Sequence, residues 1–412
     1  MPTTDWLAAE TTRLLDDAAR SRADEGGFWW LAGDGTPDSA RGRQLWINAR
    51  MTHLFALGTL LGRPGDAALA DHGVAALTGP FRDPEHDGWY ATIGEDGPLT
   101  TSKTAYEHAF VLLAASSAAV AGRPGARELL QAATAVVDAH FWDDAAGASV
   151  EEWNRDWTVL DGYRGANANM HSLEAYLAVA DATGEDRWRE RGLRIAARLV
   201  HGEARALGWR VPEHFDATWT VLPDYNRDQP DHPFRPYGIT PGHGLEWARL
   251  VLILGEALGE AAPGWIPEAA AGLFDTAVRE GWALGPGFEP DSTGGFVYTT
   301  DVDGRPVVSE RFHWVVCEAI GTAAALHRVT GDDRYAQWHE RFWDYARASF
   351  VAPVLADGGV GWQHEVSATG APTTRTWAGR PDFYHAVQAT LIPRLPLAPT
   401  LATALSRGLL EG

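Results

Sequence analysis

The chain has 412 residues, a net charge of −21 and a hydrophobic fraction of 45%. That acidity argues against a nucleic-acid partner, because phosphate backbones attract basic surfaces, while the apolar share suffices for a large core. The single cysteine, Cys317, rules out an internal disulfide and fits a reducing compartment.

The N-terminus, MPTTDWLAAETTRLLDDAAR, reads as an acidic amphipathic helix with neither the basic nor the apolar region of a signal peptide. No apolar run approaches the roughly 18 residues of a membrane span. A cytoplasmic protein, monomeric or homodimeric and without a membrane partner, is expected. Downstream, most long segments carry helical periodicity and are rich in Ala, Leu, Arg and Glu.

Two segments resemble each other: AYLAVADATGEDRWRERGLRIAARLV from Ala175 and AAALHRVTGDDRYAQWHERFWDYARASF from Ala323. Each reads as a helix, a Gly/Asp turn and a second helix. Weaker copies begin at Phe55, Val111 and Leu250. The first helix of each pair starts near Trp46, Thr104, Asn169, Pro241, His313 and Asp382, at intervals of 58 to 72 residues. Solenoid repeats are usually shorter and more even. The expected fold is therefore all-α: one domain over residues 1–412, an (α/α)6 barrel whose six inner helices line a central pocket.

The chemically able side chains recur where the inner helices start. RGRQLWINARMTHLF supplies Trp46, Asn48, Arg50 and His53, and TSKTAYEHAF supplies Lys103, Tyr106 and His108. YRGANANMHSLEAY supplies Arg164, Asn167, Asn169, His171 and Glu174. FRPYGITPGHGLEW supplies Arg235, His243, Glu246 and Trp247. ERFHWVVCEA supplies His313, Trp314 and Glu318, and GRPDFYHAVQA supplies Arg380, Asp382, Tyr384 and His385. Parallel inner helices would gather these groups at one end of the barrel. A concave pocket of aromatic and convergent polar groups is a default active site. The 19 tryptophans fit sugar stacking as well as a large core.

The pattern H-x-x-E occurs at His171/Glu174 and His243/Glu246. Three residues apart on a helix, each pair shares a face. A carboxylate beside an imidazole orients the ring and raises its proton affinity, which prepares a general base. The same pairs are able to ligate a metal, but the known patterns use other spacings, such as H-E-x-x-H. No metal and no cofactor are expected. His140, His201, His232 and His364 read as surface or structural histidines, and Asp382 reads equally as an N-cap or a ligand contact.

NANMHSLEAY, PGHGLEWARL, HWVVCEAIGTAAAL and GRPDFYHAVQATLIP, with LWINAR before them, resemble the N-acylglucosamine 2-epimerase superfamily. Their order and their spread over nearly the whole chain carry the likeness. Within the superfamily, P-D-x-Y-H-x-x-Q and PGHxxEW look most like its aldose–ketose isomerase branch, which acts on mannose or sulfoquinovose. The resemblance implies an (α/α)6 barrel, a monosaccharide substrate and metal-free proton transfer at C1 and C2. It places His243 and His385 as the acid/base pair, His171 as a third polar contact and Arg50 as the cation near the substrate oxygens. Where the family often carries a lysine before the P-D-x-Y-H motif, this chain has Arg380.

These residues assign a mechanism. His385 moves the proton between C2 and C1, and His243, held by Glu246, opens the ring. Arg50 stabilises the enediolate oxygen. His171 and Asn169 position hydroxyls with Glu174 behind them, and Trp46 and Trp314 stack on the sugar. Tyr106, Glu318, Arg235 and Asp382 complete the expected binding set. A 2-epimerase would use the same residues. A glycoside hydrolase would need two carboxylates flanking the cleft, and a sugar-binding protein would need none. A sulfonate at C6 would call on Arg164, Arg235 or Arg380.

Overall fold

A computed structural model describes residues 2–284, 293–351, 361–381 and 383–411. Its helices are α1 (Thr4–Ala18), α2 (Leu45–Leu60), α3 (Asp66–Thr78), α4 (Ala105–Val120), α5 (Ala126–Val136), α6 (Ala166–Thr183), α7 (Arg187–Ala196), α8 (Pro241–Leu258), α9 (Ile266–Gly281), α10 (His313–Thr330), α11 (Asp333–Ser349), α12 (Tyr384–Leu391) and α13 (Leu401–Ser406). α5 and α7 each continue as a π-helical stretch, Val137–Phe141 and Ala197–Ala204.

The even-numbered helices α2 to α12 pack in sequence, and α12 returns to α2, closing the inner ring. Residues Leu45 to Gly58 of α2 are all buried, as a helix surrounded by others requires. The outer helices are amphipathic. α7 buries Trp188, Gly192, Ile195 and Ala196, one stripe at helical spacing, and leaves its charges in solvent. The repeated turns are as expected: Gly184 and Gly331 end α6 and α10 in the left-handed conformation, with φ of 76° and 67°.

The sixth hairpin differs from the expected one. Among the described residues no long helix follows α12; α1, from the other end of the chain, packs against it and supplies the sixth outer position. Polar groups fix it there. Trp362 Nε1 donates to Glu10, 2.7 Å away, Thr11 and Thr390 hydroxyls meet at 2.7 Å, and Arg380 pairs with Asp17 inside the core. The short α13 instead packs against α2, α4 and α6.

Each inner helix is entered through a short antiparallel bridge to the loop that leaves its own outer helix. Arg43–Gln44 pairs with Thr92–Ile93, Lys103–Thr104 with Glu152–Trp153, Arg164–Gly165 with His214–Phe215, and Arg311–Phe312 with Glu365–Val366. Ile239 pairs with Thr300. Arg380 pairs with Leu31, beyond α1, so the sixth unit keeps the register although its outer helix comes first in the chain. These bridges hold all six inner N-termini, and the loops beside them, at one end of the barrel.

Candidate active site

A cavity of about 710 Å³ opens at that end. Residues in the first two turns of the inner helices line it: Trp46 and Arg50 from α2, Tyr106 from α4, His171 from α6, His243 and Glu246 from α8, Trp314 from α10 and His385 from α12. Phe234, from the loop before α8, lies across the mouth, its ring centroid 5.2 Å from Trp377 and 5.9 Å from Trp46. The expected convergence of helix-start residues is what the fold produces.

His243, Trp314 and His385 come from the neighbouring inner helices α8, α10 and α12, and the two imidazoles lie beside the indole with centroids 5.4 and 5.7 Å away. Local sequence makes room for this. Pro241 suits the first helical turn, where its missing N–H is no loss. A Cβ on Gly242 would lie 2.5 Å from the Trp314 ring, so only glycine lets the indole sit there.

Each imidazole is held by a carboxylate, but not as the H-x-x-E spacing suggests. His243 Nδ1 lies 2.9 Å from both oxygens of Glu213, in the loop after α7. Glu246 sits one turn deeper, about 4.5 Å further along the helix axis, and turns toward His171 and Arg249, at 3.8 and 3.7 Å. The expected His243–Glu246 pair is thus replaced by His243–Glu213. His385 Nδ1 is 2.8 Å from Glu318, whose second oxygen accepts from Arg249. His171 Nδ1 is 3.3 Å from Glu174, so the first H-x-x-E pair does form, and Tyr384 donates its hydroxyl to the same carboxylate. A carboxylate on Nδ1 fixes the tautomer that carries its proton there and leaves Nε2 the basic nitrogen.

Arg50 lies against the rings of Phe110, Tyr384 and Trp46, at 4.2, 4.7 and 5.2 Å, and donates to the Tyr106 hydroxyl at 3.1 Å. It is the one arginine or lysine lining the cavity among the described residues. Burial pushes His171 down to about 4 against the pull of Glu174, so the ring is neutral at pH 7. Burial, then the nearby Glu318 charge, pushes the Glu246 carboxyl well above its ordinary range despite Arg249.

Several expected contacts fall elsewhere. Asn169 does not line the cavity; its amide bonds Ser149 N–H, Ser149 C=O and Gly165 C=O, tying a loop to α6. Its neighbour Asn167 lines the cavity instead. Glu174 and Glu318 sit behind histidines. Arg235 faces a side chamber, 3.1 Å from Glu152. Arg164 donates to the Asp161 and Tyr163 carbonyls, and Arg380 is held by Asp17. Asp382 lies outside the described residues.

Tyr298 and His364 line the cavity and Glu213 stands behind His243, and none of these three was expected. His364, read from sequence as surface or structural, is buried and stacks on His313 with centroids 3.9 Å apart. Glu213, Tyr298 and His364 occupy corresponding places in three loops. Glu213 C=O accepts from Ala166 N–H and His364 C=O from His313 N–H, each at the first residue of an inner helix. The residue just before each loop strand is the signal that marks them.

His171, Glu174 and Glu246 bring ligand atoms within 4.8 Å of one another, as do Glu246, Glu318 and His385. Arg249 already supplies a cation between these carboxylates, 2.8 Å from Glu318.

Comparison with known proteins adds to the geometry. Residues 26–389 match the family described as N-acylglucosamine 2-epimerase (GlcNAc 2-epimerase). A D-mannose isomerase of Thermobifida fusca is 52% identical over 403 residues, covering 97% of this chain and 96% of that protein. A D-mannose isomerase of Pseudomonas cannabina pv. alisalensis is 46% identical over 97% of this chain and 95% of its own length. A crystal structure of a D-mannose isomerase superposes with a TM-score of 0.86 at 26% identity, over 94% of this chain and 97% of that one.

Proposed function

The chain belongs to the N-acylglucosamine 2-epimerase family, and from that premise we propose that it is a metal-independent isomerase interconverting D-mannose and D-fructose. The observation that carries this is the pair of carboxylate-held imidazoles, His243–Glu213 and His385–Glu318, both beside Trp314 in one pocket. The relatives named D-mannose isomerase, at 52% and 46% identity, support the sugar.

A closed pyranose must open before its C2 proton becomes acidic. His243 Nε2 takes the anomeric O–H proton, and the same imidazole returns it to the ring oxygen as the C–O bond breaks. The indole of Trp314 gives the C–H face of the sugar a platform between the two rings. His385 Nε2 removes the C2 proton, and electrons flow into an enediolate. As His243 shifts the remaining hydroxyl proton from O2 to O1, His385 delivers its proton to C1, giving the ketose. Arg50, fixed against three aromatic rings, faces the developing oxyanion without reorganising. His171, neutral, bonds a hydroxyl. Glu246 is a further polar group within the same pocket. Arg249 neutralises the Glu318 carboxylate, which supports chemistry without a metal.

A plain hydroxyl at C6 fits better than a sulfonate, because Arg164, Arg235 and Arg380 are all engaged away from the cavity. Glu246 is the one carboxyl lining the cavity among the described residues, whereas glycoside hydrolysis needs two. Two carboxylate-held imidazoles in one pocket also suit 2-epimerisation, in which each would serve one face of C2.

NMR of the EDTA-treated protein with mannose in D₂O separates these outcomes. Fructose is expected, with activity surviving chelation. Glucose as sole product would identify a 2-epimerase, and loss of turnover on chelation would end the metal-free reading.

A further inference from the structure

A second cavity, of about 620 Å³, lies at the opposite end of the barrel. Its walls are the lower turns of the inner helices, including Leu113, Leu177 and Ile253, and the C-terminal segment from Leu395 to Ala402 forms its floor. Its polar groups are His53, Ser117, Glu174, Arg249, Gln388 and Thr400. The reaction described above does not use Gln388, His53 or Ser117.

Gln388 is 1% exposed, and neither its side-chain oxygen nor its nitrogen meets a hydrogen-bond partner among the described residues. His53 is 2% exposed; Nδ1 meets Ser117 Oγ at 2.7 Å, but Nε2 meets nothing among those residues. A buried amide left unmatched costs free energy, and native structures almost always supply a partner. Apolar cavities stay dry, whereas a roomy one with several polar groups holds water. Three unmatched atoms around one cavity meet that condition.

Glu174 borders this cavity and also bonds His171 and Tyr384. His171 belongs to the active pocket. Ligand atoms of His171, Glu174 and Glu246 lie within 4.8 Å of each other, and those of Glu246, Glu318 and His385 do so as well. Titratable groups with ligand atoms no more than 4.8 Å apart within each cluster therefore link the lower cavity to the His385 imidazole.

We propose that the closed-end cavity is a hydrated chamber that exchanges protons with the active pocket through Glu174. Its ligand is a cluster of water molecules bonded to Gln388, His53 and the Glu174–Arg249 layer. One hydron leaves the His385 imidazolium by way of Glu246 and Glu174, and one returns from chamber water. Charge is unchanged: a deuterated imidazolium and H₂O become a protonated imidazolium and HDO. The chamber competes with transfer from C2 to C1 and sets how much of a C2 label is lost.

The kinetic test rests on the isomerase reading; a crystallographic one does not. Mannose deuterated at C2 is converted in H₂O, and the deuterium at C1 of fructose is measured by NMR. Gln388→Met, which keeps the volume but removes the amide, is expected to raise retained label at least twofold with helix content unchanged. Ala178→Leu, which fills the chamber, should do the same, and Gln388→Asn, which keeps donor and acceptor, should stay near the unaltered chain. Equal retention in all of them, or complete retention in the unaltered chain, overturns the proton route. A high-resolution crystal structure of the full chain should show waters bonded to Gln388 and His53 Nε2; a dry chamber overturns the proposal whatever the substrate. Ordered water there, with mannose left unconverted, would instead count against the isomerase reading alone.

Discussion

His243 Nδ1 lies 2.9 Å from both carboxylate oxygens of Glu213, a residue 30 positions earlier in the chain, and not against Glu246 on its own helix. This makes Glu213 the positioning group for one catalytic imidazole. Glu213→Gln should lower kcat roughly 10- to 100-fold, as removal of an orienting partner does. It should also alter the pH profile of kcat/KM, which a merely structural residue would leave in place. An unchanged profile with unchanged kcat would remove Glu213 from the mechanism.

His243→Ala and His385→Ala should each reduce turnover by about 10²-fold or more, the scale of general acid/base catalysis. Helix content by circular dichroism should not change. Near-normal activity in either variant contradicts the assignment.

Gly242→Ala puts a methyl group 2.5 Å from the Trp314 ring. The indole must move, and the platform between the histidines moves with it. A rise in KM and a fall in kcat of about 10-fold are expected, because small misplacements of reacting groups are costly. Stability should change little, which thermal unfolding would show.

Glu151 is buried, and burial pushes its carboxyl up to about 7 despite Arg235. Its proton is held more tightly folded than unfolded. Its contribution is therefore fully present below the unfolded value of about 4.3 and is lost as pH rises toward about 7. Glu151→Gln should flatten the fall in stability over that window by about 1 to 3 kcal/mol. Denaturant unfolding at pH 5 and pH 8 measures it, and identical slopes for both chains would refute it.

The Asp17–Arg380 pair is buried, with side chains 1% and 3% exposed, and it joins α1 to the loop entering α12. Asp17→Ala leaves an uncompensated buried cation and should cost about 3 to 5 kcal/mol. Urea unfolding gives the value; a loss under about 1 kcal/mol would mean that α1 is not needed to close the barrel.

The sequence by itself determined most of the helices, five of the six pairings and the end at which chemistry gathers. Hydrophobic periodicity and the Gly/Asp turns are local, so Gly184 and Gly331 marked hairpins without knowledge of the fold. It also placed Arg50, His171, His243 and His385 in one pocket, because helix starts that share a direction must meet. Tertiary structure alone decided which carboxylate meets which imidazole. The spacing of His243 and Glu246 allowed a contact, yet Glu246 descends toward Arg249 while a loop brings Glu213 to the ring. It also turned Asn169 toward backbone, drew His364 into the cavity and made α1 the sixth outer helix. Spacing along a helix sets which neighbours are possible. Buried charge, loop register and the closing of the ring select among them, because each depends on groups far apart in the chain.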